Sequence, residues 1–293
     1  MRSLTRAPFG AASGEQAMRI PFQGDFLSRL AVVLLAILLL LGFVGPSLPV
    51  GDPAAIAFGP RLSPPAPGWL MGTDNLGRTM LPRVLQGIRI TFVLATAPVL
   101  ITSVLAVVIG MLAGYLGGWF DELVARLADV LFAFPSLLLG LILVAIMGPG
   151  VRGITAAIIL ITLPLMVRVV RATTLSIASR DYVAASRVSG ASLPRLLLVH
   201  LLPNIAGAVV VQATFTISVS MLIESGLSFL GIGVQPPVAS LGSLVQNGSV
   251  YLVQAPWLAL APGFFLAVAI FSVNLLGDGL RDRLDPLEAH GLK

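Results

Sequence analysis

One acidic side chain, Glu224, stands at the end of an apolar stretch long enough to cross a membrane. A carboxylate left in lipid costs on the order of several kcal/mol, so charged groups at membrane depth usually face a cavity or a partner. We therefore predict that Glu224, with the adjacent Ser225 and Gly226, lies near a solute path or its outer gate. The alternative is a structural role, in which the carboxylate is paired within the protein or lies at the membrane interface.

The sequence lacks the residue sets of common catalytic and metal sites. It contains no cysteine, and its two histidines, His200 and His290, make a poor ligand set for a metal. A phosphate-binding P-loop needs a Gly-x-x-x-x-Gly-Lys-Ser/Thr sequence, whereas the single lysine is Lys293. We therefore expect no enzyme, no metal site and no cofactor in this chain. Any work driven by ATP must come from another chain.

The composition is that of a membrane protein. The chain of 293 residues is 57% hydrophobic and 11% charged, with a mean hydropathy of +0.98, which a soluble domain of this size would not show. A bilayer core about 30 Å thick needs roughly 20 apolar residues per helix. These stretches predict an all-α, polytopic membrane protein with about six transmembrane helices: Leu30–Val44, Ile90–Ala113, Val130–Met147, Ile154–Val167, Ile205–Ile223 and Leu258–Leu276.

The basic residues indicate the orientation. With the N-terminus inside, 13 of the 18 Lys and Arg residues fall on the inner side, which favours a plasma-membrane protein with both termini cytoplasmic. The other five are Arg61, Arg78, Arg83, Arg89 and Arg152. Because the arginines are dispersed over loops, nucleic-acid binding is disfavoured. The predicted organisation is a cytoplasmic basic tail (1–25), a transmembrane domain (26–286) and a cytoplasmic C-terminal tail (287–293).

Three connections have distinctive sequences. The outer segment Pro46–Arg89 ends in a stretch that predicts a short amphipathic helix from about Thr79 to Ile90. The second outer segment, Leu227–Trp257, carries no charge, and its Gly, Pro and aromatic residues suggest that it lies against the membrane or folds partly back into it. The segment Tyr115–Asp121 predicts a tight inner turn at its Gly-Gly pair.

Two charged pairs are expected near the membrane surfaces. Asp74 and Arg78 are predicted to form a local cap or ion pair, with contact to a partner protein as the alternative. Asp129 is predicted to interact with Arg126 or to lie near the interface, because the two residues are one helical turn apart.

The polar, helix-forming segment Asp181–Asn204 lies between two apolar spans and is placed inside by the charge pattern. Its small residues Ala184, Ala185 and Ser186 allow another surface to approach closely, and Gly190 permits a turn. A second helical stretch, with Pro194 in its first turn, is expected to close at Leu202–Pro203. These features favour a short helix that docks into a groove of a partner, whereas the alternative is an amphipathic connector resting on the membrane.

This segment resembles the EAA loop of ABC importer permeases. Ala185, Gly190, Leu202 and Pro203 match the pattern, while Ala184 and Ser186 stand where the pattern has Glu and its second Ala. Further stretches are similar to the second permease of dipeptide, oligopeptide and nickel importers, from about Leu70 to Pro286. They are Leu70–Arg78 (LMGTDNLGR), Gly117–Asp121 (GGWFD), Glu224–Gly231 (ESGLSFLG), Val234–Pro237 (VQPP) and Leu276–Asp282 (LGDGLRD).

The resemblance implies the type I ABC importer permease fold, in an inner membrane, with lipid around it. It also implies three kinds of protein partner: a homologous second permease, two cytoplasmic ATPase subunits and an extracytoplasmic substrate-binding protein. Within the coupling loop 172–203, the resemblance assigns contact with the ATPase to Asp181, Tyr182, Ala184, Ala185, Ser186 and Gly190.

Two other classes of function remain as alternatives. A self-contained secondary transporter or channel would more often show repeated halves and buried ionisable residues, and neither is clear in this sequence. An intramembrane enzyme would need a catalytic set, which the sequence does not provide.

Overall fold

The computed structural model describes residues 22–284, with side chains described from residue 26, and every regular element in this part of the chain is a helix. The elements follow one another along the chain as α1 (Phe22–Phe43), α2 (Met80–Leu116), α3 (Gly118–Phe132), α4 (Ser136–Met147), α5 (Val151–Ala178), α6 (Asp181–Val188), α7 (Leu193–Arg195), a π-helical turn (Leu196–Leu201), α8 (Leu202–Phe229), α9 (Leu241–Ser249) and α10 (Trp257–Leu284). A short 3-10 turn, Gly45–Ser47, follows α1.

Within the described residues, five helices are long and apolar enough to cross a membrane, and α3 with α4 makes a sixth crossing only if the bent pair is one span. The predicted continuous third span, Val130–Met147, is therefore wrong in detail. The axes of α3 and α4 meet at 91°. Pro135, which precedes α4, accounts for the break, because it has no N–H and disfavours a helical conformation at Phe134.

Several predicted boundaries also move. The amphipathic helix expected at Thr79–Ile90 and the span after it form one helix, α2, of 37 residues. This first part of α2 is held by packing, since Val84 and Ile88 are fully buried. Helix α1 begins at Phe22, within the predicted tail 1–25. The remainder of that tail and the C-terminal tail 287–293 lie outside the described residues.

Helices α2 and α5 form the longest contact of the bundle, and two glycines of α2 bring them together. A Cβ atom at Gly110 would lie 2.8 Å from the side chain of Val170, and one at Gly114 would lie 2.8 Å from the carbonyl oxygen of Arg171. Since real side chains avoid such distances, both positions need glycine for the observed packing. A buried cluster that includes Met166, Val170 and Leu201 fills the same region.

The segment predicted as a helical hairpin contains α6, a turn and a longer second arm. That arm does not close at Leu202–Pro203 as expected, but continues into α8, so that Leu193–Phe229 is one 37-residue helical span. Pro203 stands in the first turn of α8, directly after the π-helical turn. A π turn changes the i to i−4 bonding, and this change allows the chain to pass a proline without ending the helix.

The uncharged connection Leu227–Trp257 folds back onto the bundle as α9. This helix packs against α8 and α10, with Leu241 and Leu244 buried. It begins with a capping box, in which Ser240 and Ser243 satisfy each other's backbone N–H groups. Glycine again permits the close approach, because a Cβ atom at Gly248 would lie 2.4 Å from the carbonyl carbon of Leu258. Helix α9 (Leu241–Ser249) thus marks one end of the bundle, the α9 end, and α6 (Asp181–Val188) marks the other, the α6 end.

The contact at Gly248 leads to a stability prediction. We expect Gly248→Ala to lower the free energy of unfolding by about 1–3 kcal/mol, because the added methyl group overpacks the α9–α10 contact. Gly263→Ala in α10 is the matched control, since a Cβ atom there would meet only Val245, at 3.8 Å. Thermal unfolding of the purified protein in detergent measures both changes. Equal unfolding temperatures for the two variants would contradict this account of the packing.

Candidate functional site

Helix α6 is an exposed helix of eight residues anchored by one side chain. Val183 is buried in the cluster shared by α2, α5 and the start of α8, whereas Asp181, Tyr182, Ala184 and Ala185 are exposed. The predicted small-residue face is thus mostly accessible at Ala184 and Ala185, while Ser186 is half-buried. The apolar side chain of Val188, at the end of α6, is 89% exposed. The helix presents apolar and small residues at the α6 end, together with the exposed charges of Asp181 and Arg187.

Gly190 ends this helix in the left-handed region, with φ at +82°. The N–H of Gly190 donates to the carbonyl of Arg187, and the N–H of Ala191 donates to the carbonyl of Ser186. This pattern closes the C-terminus of α6 and reverses the chain. The predicted turn at Gly190 is confirmed. A Cβ atom there would meet nothing within 4 Å, so glycine is favoured by the backbone conformation and not by crowding.

At the α9 end, the carboxylate of Glu224 is fully buried and surrounded by hydroxyl groups. Ser228 Oγ donates to Oε1 at 2.7 Å, and Ser225 Oγ and Thr91 Oγ1 donate to Oε2 at 3.3 and 3.4 Å. The network extends to α9, since Ser240 Oγ donates to Ser228 Oγ at 3.3 Å. The N–H of Leu241 donates to Thr91 Oγ1 at 3.0 Å. The carboxylate therefore connects α2, α8 and α9.

This geometry shows what the three predicted path residues contact. Glu224 and Ser225 are buried within the single chain, and a Cβ atom at Gly226 would approach Leu137 of α4 at 3.2 Å. Internal pairing of Glu224, which was the structural alternative, is present. Their assignment to a translocation path or gate stays a prediction, and a gate at this place would act through movement of α9 or α4.

The loop before α2 forms a second polar cluster. Asp74 Oδ1 accepts from the N–H groups of Leu76 and Arg78, each at 2.9 Å, and its Oδ2 accepts from Arg78 Nε at 2.6 Å. The predicted local cap and ion pair are confirmed. Arg83 is 4% exposed, and its Nη1 donates to the carbonyl of Pro53 at 3.3 Å. The cluster ties residues 53–83 to the α9 end of the bundle.

Two Asp–Arg pairs join α3 to α5. Asp121 receives two hydrogen bonds from Arg171, of which Nη2 to Oδ2 measures 2.6 Å. Asp129 Oδ1 accepts from Arg168 Nη2 at 3.0 Å. The prediction that Asp129 interacts with Arg126 is therefore wrong. Arg126 pairs instead with Glu122, with Nη2 3.6 Å from Oε1. An i,i+3 spacing could not reveal a partner about 40 residues away on another helix.

Reasoning from the sequence missed both Thr91 and Arg168. Thr91 reaches Glu224 from 133 positions away, and nothing in its own neighbourhood marks it. For Arg168 a signal was available, because an arginine within an apolar helix needs a counter-charge or water. Among the described residues no group of three His, Cys, Asp or Glu side chains comes together in a way that could hold a metal ion.

The described chain is a bundle of helices long and apolar enough to cross a membrane, with the exposed helix α6 at one end, and the family comparison places it among membrane transport components. The model for the binding-protein-dependent transport system inner membrane component matches residues 106–289, more than half of the 293 residues. The chain belongs to this family, and its fold is that of a type I ABC importer permease.

Similar proteins narrow the type of importer. The di/tripeptide transport system permease protein DppC of Pseudomonas aeruginosa is 40% identical over 218 residues, covering 74% of this chain and 72% of that protein. The glutathione transport system permease protein GsiD of Pectobacterium atrosepticum is 38% identical over 223 residues, 76% and 74% of the two chains. The oligopeptide transport system permease protein OppC of Bacillus subtilis is 33% identical over 265 residues, 90% and 87%. The chain is a permease component of the dipeptide/oligopeptide type.

The Glu224 network predicts a specific effect on α9. We expect Glu224→Ala to lower stability by about 1–3 kcal/mol and to loosen α9, because the hydroxyls of Thr91 and Ser228 lose a buried acceptor. Since the chain contains no cysteine, Ala239→Cys just before α9, where the native side chain is 2% exposed, reports the loosening by faster maleimide labelling. Glu224→Gln keeps one acceptor oxygen and should label more slowly than Glu224→Ala.

The control is Glu122→Ala, which removes an exposed glutamate from α3 and should leave labelling at residue 239 unchanged. If position 239 stays equally protected in Glu224→Ala, the carboxylate does not hold α9.

Proposed function

We propose that this chain forms half of a translocation pathway for peptides or a related small solute, beside a homologous second permease. Energy comes from two separate ATPase subunits that bind the α6 turn, and a substrate-binding protein delivers the cargo at the opposite face. The observation that carries this proposal is helix α6, an exposed helix fixed by one buried residue, Val183, to a core shared by α5 and α8.

The physical argument for coupling concerns what a push on α6 would move. Val183 packs in the same buried cluster as Ile177 of α5 and Ile205 of α8. A partner that binds the exposed face of α6 therefore acts on two membrane helices at once. Because packed cores resist compression, the displacement passes to these helices and is not absorbed locally. An isolated connector lying on a membrane would not need such an anchor.

The choice of cargo and partners rests on the relatives. Their names describe permeases for di/tripeptides, oligopeptides and glutathione, which supports a peptide cargo here. A permease of this family works with a binding protein, as the family description states. The exposed loop around Asn75 and the end of α9 lie at the face that the binding protein would approach.

A self-contained secondary transporter is the alternative class. It would move solute without ATPase subunits, and its coupling ion would require a buried titratable group. Glu224 is such a group, but its contacts are hydroxyls that hold α9 to the bundle. Uptake by the purified chain alone in vesicles, without the ATPase subunits, would favour this alternative.

The proposed orientation places the α6 end in the cytoplasm. Single cysteines at Ser179 and Ser249, both exposed, report the two ends. We expect an impermeant maleimide to label position 249 in intact cells and position 179 only after the membrane is opened, because the basic residues concentrate at the α6 end. Labelling of position 179 from outside would reverse the topology.

The coupling role is tested best at Ala185. Because φ at Gly190 is positive, a bulky residue there would strain the backbone and also block docking, whereas Ala185→Trp changes only the exposed helix surface. We expect Ala185→Trp to reduce transport and the ATP hydrolysis stimulated by substrate-loaded binding protein by at least tenfold. Glu122→Trp, at an exposed position of α3 outside the loop 172–203, is the control for an added tryptophan.

Crosslinking gives a second measurement of the same contact. Ser186→Cys should form a disulfide with a cysteine placed in the ATPase groove, with a yield that changes with nucleotide. If Ala185→Trp keeps full coupled transport and position 186 stays freely labelled in the assembled complex, α6 is not the coupling element.

A further inference from the structure

An exposed ion pair lies on the surface of helices that cross the membrane. The side chains of Arg168 and Asp129 are 55% and 59% exposed and meet at 3.0 Å. Arg168 is ten residues from Ala178, the nearer end of α5, or about 15 Å at a rise of about 1.5 Å per residue. A 28-residue helix centred in a core about 30 Å thick would project only about 6 Å on each side. On this placement Arg168 lies about 9 Å within the core, deeper than the inner-side position that the charge pattern predicts for it.

Charged groups at this depth face protein or water and not lipid. In the single chain, the surface around Arg168 is open along α5, since Leu165 and Ala172 on the same stripe are also exposed. The guanidinium lies over the exposed ring of Phe132, 4.6 Å from its centroid. This stacking fixes the guanidinium position and leaves part of its edge open.

The second Asp–Arg pair between α3 and α5 provides a contrast. Arg171 uses two nitrogens for the two carboxylate oxygens of Asp121, and these side chains are 30% and 18% exposed. Such a closed, two-point pair is suited to holding helices together. The contact of Asp129 with Arg168 uses one oxygen and one nitrogen, Oδ1 and Nη2. This pair keeps an exposed acceptor and exposed donors side by side.

A cleft adjoins the pair. It has a volume of about 400 Å³, within the range of roughly 300–1,000 Å³ for small-molecule sites. Phe132, whose ring lies beneath the guanidinium of Arg168, is also part of the wall of the cleft. The walls are mostly apolar, and α8 contributes Gln212 and Thr216. The side-chain N–H of Gln212 donates to Thr216 Oγ1 at 3.3 Å, and the amide side chain is half-buried in the wall of the cleft.

We propose that this cleft and the Arg168–Asp129 pair form a peptide subsite on the translocation face. The carboxylate of a short peptide accepts hydrogen bonds from the open donors of Arg168, its ammonium group donates to the open oxygen of Asp129, and Gln212 hydrogen-bonds the peptide backbone. The apolar walls accept side chains of varied shape. The inference rests on the proposed function, because it requires that peptides pass this surface.

The chemistry favours a zwitterionic solute over permanent burial by the second permease. The pair is already neutral, so it needs no further charge from a protein partner, and sealing it inside a dry interface would remove its water at a cost. A zwitterion instead supplies both opposite charges to the exposed groups. Weak contacts of this kind also suit a path, since a transported solute must leave again.

The test compares peptides that differ only in their terminal groups. The complete complex, with its binding protein, is reconstituted in vesicles, and uptake is measured for a free dipeptide and for its C-terminal amide. We expect Arg168→Gln to lower the ratio of free-peptide to amide uptake about tenfold relative to the unchanged protein. Because the same binding protein serves both, its own selectivity cancels in this comparison. Asp129→Asn should likewise reduce the preference for a free over an acetylated N-terminus.

Gln212→Leu leaves the Arg168–Asp129 pair unchanged. It should lower uptake of every peptide, because the peptide backbone loses a hydrogen-bond partner. The matched charge control is Arg126→Gln, which removes an exposed arginine of α3 that pairs with Glu122 and should leave the terminal-group ratios unchanged. ATP hydrolysis stimulated by loaded binding protein checks that each variant is assembled and coupled.

Each result distinguishes one reading from another. Unchanged ratios in Arg168→Gln and Asp129→Asn, with full uptake by Gln212→Leu, overturn the subsite. Loss of the second permease on purification of the Arg168→Gln variant, with full peptide uptake by Gln212→Leu, shows a subunit interface instead and also overturns it. If the unchanged complex imports no peptide at all, the proposed function itself fails.

Discussion

The arrangement of the α9 end depends on a buried carboxylate that must be satisfied by hydrogen bonds. Glu224 has no exposed surface, and an unpaired buried charge would be far too costly to keep. Its oxygens are met by hydroxyls of α2 and α8, and the same hydroxyl groups bind the beginning of α9. The uncharged connection is consequently drawn into the bundle. Gly242 and Gly248 then allow the backbone of α9 to approach its neighbours.

Helix α8 connects this cluster to the opposite end of the molecule. Its helical span begins at Leu193, immediately after the α6 turn, and ends at Phe229, just beyond Ser228. Val183 packs on the first part of this span, and Glu224 projects from the last part. The two groups of functional interest therefore stand on one continuous element, so that a tilt of α8 would act at both. If a partner binds at the α6 end as proposed, α8 is the element that would pass the movement on to α9.

The sequence predicted the elements whose signals are local. Apolar length indicated the membrane helices, the Gly-Gly pair indicated the turn after α2, and Gly190 indicated the turn after α6, where its φ is positive. In the loop before α2, Asp74 and Arg78 are close enough in sequence for their pairing to be predicted correctly.

The misses arose where tertiary structure decides. Asp129 has a basic residue one turn away, but its partner is Arg168 on α5. The break at Pro135 was hidden because the residues on both sides are equally apolar, and hydropathy does not register a bend. At Pro203 the sequence predicted that a helix ends. The π turn before it instead lets the helix continue into α8. Of the hydroxyl groups around Glu224, that of Thr91 could not be inferred, since it comes from another span, whereas Ser228 lies one helical turn away on α8.

The π turn at Leu196–Leu201 has a consequence for how related chains can diverge. A π turn contains one more residue than an ordinary helical turn, and one residue corresponds to about 100° of rotation around a helix with 3.6 residues per turn. Losing a single residue here would restore regular winding, but it would swing the preceding α6 by about that angle around the axis of α8. The number of residues in this short stretch thus sets the rotational position of α6 around the axis of α8. Insertions or deletions that the loops would tolerate would therefore be damaging here.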